Sequence, residues 1–182
     1  MRPSLVLRVP TLEEEPEVLR AFHAARVQSP HFLHFYREGM AFDRYLEVVA
    51  DHARGVNLAP GETASTFLMA FVGERVVGRV SIRHALSEWH AQYGGHIGYV
   101  VVPEFRRRGY AAEILRQALG LAHGRLGIRR VLVTCDDDNI GSIRTIETNG
   151  GVFEGVVTGP GVDAPKRRYW FDFPSTDLAQ MP

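Results

Sequence analysis

The sequence predicts an α/β chain of the α+β kind: a mixed, mostly antiparallel central sheet with one β-α-β crossover and flanking helices. Three observations predict it. Apolar periodicity runs in the order β α α β β β α β α β β, which contains one uninterrupted strand-helix-strand unit among hairpin-type strands. Thr66–Val72 and Val76–His84 are joined by Gly73-Glu74-Arg75, a hairpin connection. A doubly wound dinucleotide fold needs repeated β-α units, and a nucleotide-triphosphate phosphate loop needs Gly-Lys-Ser/Thr. Neither pattern is present.

The elements follow in order. Leu5 to Val9 alternates as a short strand. Thr11-Leu12-Glu13-Glu14 reads as a capping box opening a helix to about Val27, or one that starts at Pro16. Gln28 to Met40, with Ser29-Pro30 and the cluster HFLHFY, is a loop. Phe42 to Ala53 carries apolar residues at 42, 45, 46 and 49, a second helix. Leu86 to Gly95 connects the hairpin to the strand His96–Val102, which Pro103 ends because proline offers no N–H to a ladder. Ala111, Leu115, Ala118, Leu119 and Ala122 repeat at helical period, and Gly127 closes that helix. The continuous apolar run RVLVTC (130–135) is a buried parallel strand. Asp136 to Asn139 cap a helix from about Ile140 to Thr148. Val152–Thr158 and Arg167–Phe173 are the last strands. One domain over 1–182 is expected, with 174–182 a loose tail.

The 182 residues suffice for a sizeable core, and 45% hydrophobic with 23% charged residues is ordinary for a soluble globular protein. A formal net charge of zero argues against bulk nucleic-acid binding. One cysteine, Cys135, allows no internal disulfide and fits a reducing cytosol, so a cytoplasmic protein is expected. No signal-like start and no apolar run of membrane-spanning length argue against membrane association. Composition leaves monomer and homodimer both open. The histidines at 31, 34, 84, 90 and 96 lack partners at metal-site spacing, so no metal is expected.

Between strand and helix lies Arg106-Arg107-Arg108-Gly109-Tyr110-Ala111. A helix start carries unpaired N–H groups and the positive end of the helix dipole. Gly109 lets a ligand approach the backbone, and Ala111 is nearly as small. This predicts an anion site suited to phosphate or pyrophosphate.

With these residues in place the chain resembles the GNAT superfamily of N-acetyltransferases over Leu5 to Phe173. Arg106-x-x-Gly109-x-Ala111 matches the family's Arg/Gln-x-x-Gly-x-Gly/Ala motif, with Val102-Pro103 before it. Asn139, three residues before Ser142, matches the Asn-x-x-Ala/Ser opening of the next helix. The resemblance implies acetyl-CoA as co-substrate. Backbone N–H groups of Arg107, Arg108, Gly109, Tyr110, Ala111 and Ala112 would hold its pyrophosphate. Val100, Val101 and Val102 would pair with the pantetheine arm where their strand splays from Arg130–Cys135. Asn139 and Ser142 would complete the site, and Arg106 to Arg108 would reach phosphates. Many relatives carry a proton-donating tyrosine seven residues after the asparagine; here that residue is Ile146.

His96 is the expected general base, at the strand position where some relatives place a glutamate; its ordinary pKa is about 6.5. Tyr99 is a second catalytic candidate, facing the other side of the strand. The acceptor pocket is expected from His34 and Tyr36, and from Glu88, Trp89 and Tyr93, with Glu88 pairing with the amine. The expected activity is direct transfer of an acetyl group to a primary amine of a small molecule or peptide. A non-catalytic CoA-binding sensor is the alternative that Ile146 keeps open, and another acyl donor would change only the substrate.

Overall fold

The structure, a computed structural model, describes residues 4–174. The expected tail 174–182 lies outside the described residues except for Pro174. The seven strands are β1 (Leu5–Arg8), β2 (Ser65–Val72), β3 (Arg75–Arg83), β4 (Ile97–Val101), β5 (Arg130–Asp136), β6 (Val152–Val157) and β7 (Lys166–Asp172). The four α-helices are α1 (Glu15–Ala25), α2 (Phe42–Arg54), α3 (Tyr110–Gly124) and α4 (Ile140–Thr148). The order matches the one read from periodicity. The first helix begins later than the capping box suggested. Leu12–Glu14 forms a single 3-10 turn, and the α-helix starts around Pro16, where a missing N–H costs nothing.

The strands form two sheets rather than one, β1-β2-β3-β4 and β5-β7-β6, and every ladder is antiparallel. The apolar run of β5 suggested a parallel partner; its ladder is instead antiparallel with β7. The four-stranded sheet is covered on both faces. Val80 and Ile82 pack with Ile114, Leu115 and Ala118 of α3 on one side. Phe67, Met69 and Phe71 pack with Val18 of α1 and Tyr45 and Val49 of α2 on the other. That double covering is why β2 reads as an unbroken apolar run instead of alternating.

Between the two sheets, β4 and β5 meet at one end and diverge. The meeting point is a clasp built by His96. Its backbone N–H donates to the Leu132 carbonyl at 2.7 Å, and its Nδ1 accepts the Leu132 N–H at 2.9 Å. One residue thus satisfies both backbone groups of Leu132. Gly95 permits the approach: its φ is +64°, and a Cβ there would stand 2.6 Å from the Leu132 oxygen.

Candidate active site

Beyond the clasp, the free edge of β4 faces an opening. In an antiparallel pair, alternate residues turn both backbone groups toward the same neighbour. The His96 carbonyl accepts from Arg83, and Val102 donates to the Val77 carbonyl, so even-numbered residues serve β3. The backbone groups of Tyr99 and the N–H of Val101 therefore point into the opening. The Val101 carbonyl is taken by Arg106 Nε at 3.2 Å.

A cleft of about 530 Å³ lies on the α3/α4 side of this opening. Its floor is Tyr99, Val100 and Val101, and one wall is Arg106, Arg107, Gly109, Tyr110, Ala111 and Ala112. The opposite wall is the start of α4: Asn139, Gly141, Ser142 and Thr145. The turn before α3 is contorted in a way that suits anions. Arg107 has φ +59° and Gly109 φ +84°, and no side chain caps the helix start. A Cβ on Gly109 would meet nothing within 4 Å, so the glycine is required by backbone conformation and opens onto empty space. Asn139 caps α4 by accepting the Ser142 N–H at 3.0 Å.

A second cavity of about 310 Å³ lies on the other face, under the 29–36 turn. His31, His34 and Phe35 roof it, and Phe67, Arg79, Ser81 and Arg83 come from the sheet. Ile97, Gly98, Tyr99 and Thr134 close it toward the opening. Tyr99 lines both cavities, so the two lie on either side of that residue.

Tyr99 shares a face with Val80 and points toward α4. Its hydroxyl is buried and makes no hydrogen bond among the described residues, although Ser142 and Thr145 lie beside it. Burial pushes its pKa up to about 12, which keeps the phenol protonated at neutral pH. Burial, reinforced by Asp136, likewise lifts the Cys135 thiol to about 11, so it stays neutral and unreactive.

His96 does not have the surroundings expected of a base. It is 8% exposed and lines neither cavity. A neutral imidazole has one free lone pair, and on His96 the Leu132 N–H occupies it. Burial, and then the charge of Arg83, lower its pKa, consistent with a ring held neutral in the clasp.

Among the expected donor-site residues, Val102 is buried beneath the cleft and Arg108 is exposed, its guanidinium 5.6 Å over the Phe105 ring. The remaining ten line the cleft. Arg106 spends its side chain tying the Val101 carbonyl and Gln28 together, at the edge of the cleft. Sequence reading missed Gln28, Ser29, Phe105, Gly141 and Thr145; only Thr145, one turn after Ser142, carried a signal. Ile146 faces the core at 0% exposed, so its side chain turns away from the cleft and Thr145 occupies that level.

Of the expected acceptor residues, His34 lines the second cavity. Tyr36 instead stacks edge-on against Phe22 and Tyr45, beside a separate surface hollow. Glu88 and Trp89 are exposed outside the cavity, and Tyr93 packs on Trp89 with its hydroxyl at Gly159. Tyr93 and Trp89 lie against Gly159 and Gly161 of the loop after β6, beside the connection before β4. The residues that do build the cavity, Arg79, Ser81 and Arg83, come from β3. Their signal was the alternation R-V-S-I-R, which in isolation describes any half-solvated strand.

Among the described residues no group of three or more metal-binding side chains is assembled, and no helix is long and apolar enough to cross a membrane. Comparison with known proteins places this geometry in context. A profile of the acetyltransferase (GNAT) domain matches residues 4–152. The uncharacterized N-acetyltransferase YoaA of Bacillus subtilis (strain 168) is 30% identical over 84 residues, 46% of this chain and 46% of that protein. The chain therefore aligns with about half the length of that relative. Microcin C7 self immunity acetyltransferase MccE, solved with acetyl-CoA and AMP, superposes with a TM-score of 0.66 at 19% identity, covering 93% of this chain and 92% of that one. RimL, a ribosomal L7/L12 alpha-N-protein acetyltransferase solved with coenzyme A, gives 0.64 at 19% identity, covering 93% and 94%.

Proposed function

The chain belongs to the GNAT acetyltransferase family, and from that membership we propose that it transfers an acetyl group from acetyl-CoA to a primary amine by direct attack. The observation that carries this reading is the pair of cavities on opposite faces of one sheet, meeting at Tyr99. A CoA sensor without turnover needs the first cavity and has no use for the second. MccE and RimL, solved with acetyl-CoA or coenzyme A, support the choice of donor.

In this reading the N–H groups from Arg107 to Ala112 hold the donor's pyrophosphate. The free edge of β4 pairs with its pantetheine arm, and the Val101 N–H polarises the thioester oxygen. The amine nitrogen bonds to the acetyl carbon, the carbon–sulfur bond breaks, and the proton shed by nitrogen balances the one taken by sulfur. Tyr99 supplies the sulfur's proton from its hydroxyl, the role Ile146 cannot fill, and the resulting tyrosinate is reprotonated from solvent, to which the proton shed by nitrogen returns. No carboxylate lines the acceptor cavity among the described residues. The positive charge of Arg79 and Arg83 disfavours an ammonium there, so the amine enters as the free base. His34, whose pKa is lowered by burial and by Arg79, is neutral at pH 7 and is positioned to take up the proton the nitrogen loses.

The test is release of free CoA thiol from acetyl-CoA with a panel of primary amines, products checked by mass. Amine-dependent release with a 42 Da mass gain, the expected mass of an acetyl for a hydrogen (about 42 Da), supports the reading. CoA binding with no turnover of any amine would leave the sensor alternative.

A further inference from the structure

The second cavity has a charge pattern that the transfer of an acetyl group does not by itself require. Arg79, Ser81 and Arg83 alternate along β3 and so face the same side. Arg79 Nη1 donates to the Gly98 carbonyl at 3.3 Å and Ser81 Oγ at 3.4 Å, and Nη2 to the His31 carbonyl at 3.2 Å. Its Nε is buried with no hydrogen-bond partner among the described residues. Arg83 Nη1 donates to the Gly95 carbonyl at 3.0 Å. Neither arginine makes an ion pair among the described residues, whereas Arg8, Arg20, Arg54, Arg116, Arg167 and Arg168 all do. The other ionisable side chains lining the cavity are His31, His34 and Tyr99.

Two half-buried guanidiniums with no counter-ion among the described residues are unfavourable unless something supplies the missing charge. The carbonyls of Gly94, Gly95, Gly98 and His31 fix where the cations point and leave them charged. Gly98 has a part in this arrangement: a Cβ there would stand 3.3 Å from Ser81 Oγ and 3.9 Å from Arg79 Nη1, so its bareness leaves the strand surface open to the guanidinium. Held in place, with donors to spare, such forks match carboxylate or phosphate oxygens. The cavity volume, about 310 Å³, equals roughly ten waters at their liquid share of about 30 Å³ each, which suits a compact polar molecule.

We propose that the acceptor is an anionic amine, a small primary amine bearing a carboxylate or phosphate group that Arg79 and Arg83 hold while the nitrogen faces Tyr99. The inference rests on the acetyl-transfer reading for its reaction, and its anion site stands apart from it. Carboxylate and phosphate present the same oxygens to a guanidinium, and the assay separates them.

The experiment uses the full chain saturated with CoA and titrates it calorimetrically with matched pairs: phosphoethanolamine against ethanolamine, and amino acids against their amides. The anionic member of at least one pair binds ten-fold or more tighter in the wild type. Arg83→Gln loses about ten- to hundred-fold of that affinity, the scale of a charge-assisted hydrogen bond, and leaves the neutral member unaffected. Arg79→Lys, which keeps a cation but not the fork, loses less than Arg79→Gln. The wild-type comparison needs no variant, so a variant that fails to fold does not stall the test. Equal binding of charged and neutral members, or binding of neither, overturns the proposal. Anion-selective binding with no CoA released from acetyl-CoA in the thiol assay leaves the anion site standing and removes the acetyl-transfer reading, and with it the bound molecule's role as acceptor. Release of CoA with neutral amines, without preference for anions, does the reverse.

Discussion

Two side chains three residues apart, on β4 and at its start, were both catalytic candidates in the sequence, and their surroundings differ. Tyr99 has the features of a proton donor: a buried phenol, kept protonated, beside Ser142 and Thr145 but with no hydrogen bond of good geometry among the described residues, lining both cavities. Tyr99→Phe is expected to lower kcat by about 10²-fold, the low end for a lost acid, because a thiolate with a free thiol pKa of about 8.5 leaves without much help. CoA affinity should stay constant, and so should thermal stability, since the lost hydroxyl makes no hydrogen bond of good geometry among the described residues. Unchanged kcat would assign the proton to water. His96, by contrast, is a structural clasp. His96→Ala strands the buried Leu132 N–H, which should cost about 1–3 kcal/mol in denaturant unfolding. The acidic limb of the pH–rate profile should keep its midpoint, because His96 carries no substrate proton. A shifted midpoint in His96→Ala, measured on kcat/KM, would restore it as the base. Histidine at the head of a central strand looked catalytic because its pKa suits the task. What decides its role is a backbone N–H thirty-six residues away, and nothing next to His96 in the chain reports that.

At the scale of elements, legibility follows contiguity. The turn before α3 was readable because the proposed anion site consists of consecutive backbone groups, so six residues in a row carry the expectation. The cap of α4 was readable for the same reason, with Asn139 and Ser142 only three apart. The splay of β4 from β5 rested on family resemblance, since no local pattern states where a ladder ends. The second cavity was not legible because it gathers β2, β3, the 29–36 turn and the β4 edge. The loop 86–93, rich in aromatic and charged residues, drew attention that belonged to the plain alternation in β3. One consequence of the readable part can be measured. Gly109 sits at φ +84° with open space where a Cβ would go. Gly109→Ala should fold with a penalty of about 1–2 kcal/mol for left-handed backbone, and Gly109→Val with more. Both put carbon where the pyrophosphate is proposed to lie. CoA affinity by calorimetry should fall with Ala and vanish with Val, while melting stays cooperative. Wild-type affinity in Gly109→Val would remove the turn from the donor site.

At the scale of the whole molecule, four of the eight histidines are biased toward the neutral form, and this shapes the response to acid. His34, His84, His90 and His96 all have pKa values below the ordinary 6.5, each through burial first. Arg83 adds to the effect at His90, which is pushed down to about 4, and at His96. A group whose folded pKa is depressed binds its proton more readily when unfolded. Stability from these four is therefore complete above pH 6.5 and is lost as pH falls from there toward the folded values. The carboxylates that arginine partners hold below 4.5, Glu14, Glu17 and Glu113 among them, act in the same direction but only at lower pH. The window from pH 6.5 to 4.5 thus belongs to the histidines. Urea unfolding at half-unit steps across it should show stability declining from the upper end, before carboxylates titrate. In His96→Gln, which has no ring to protonate, the decline should be shallower, although the variant starts from lower stability at pH 7.5. A flat profile between pH 6.5 and 4.5 would mean that these rings keep ordinary affinity for protons, and that the cationic cavity exerts no field on the sheet around it.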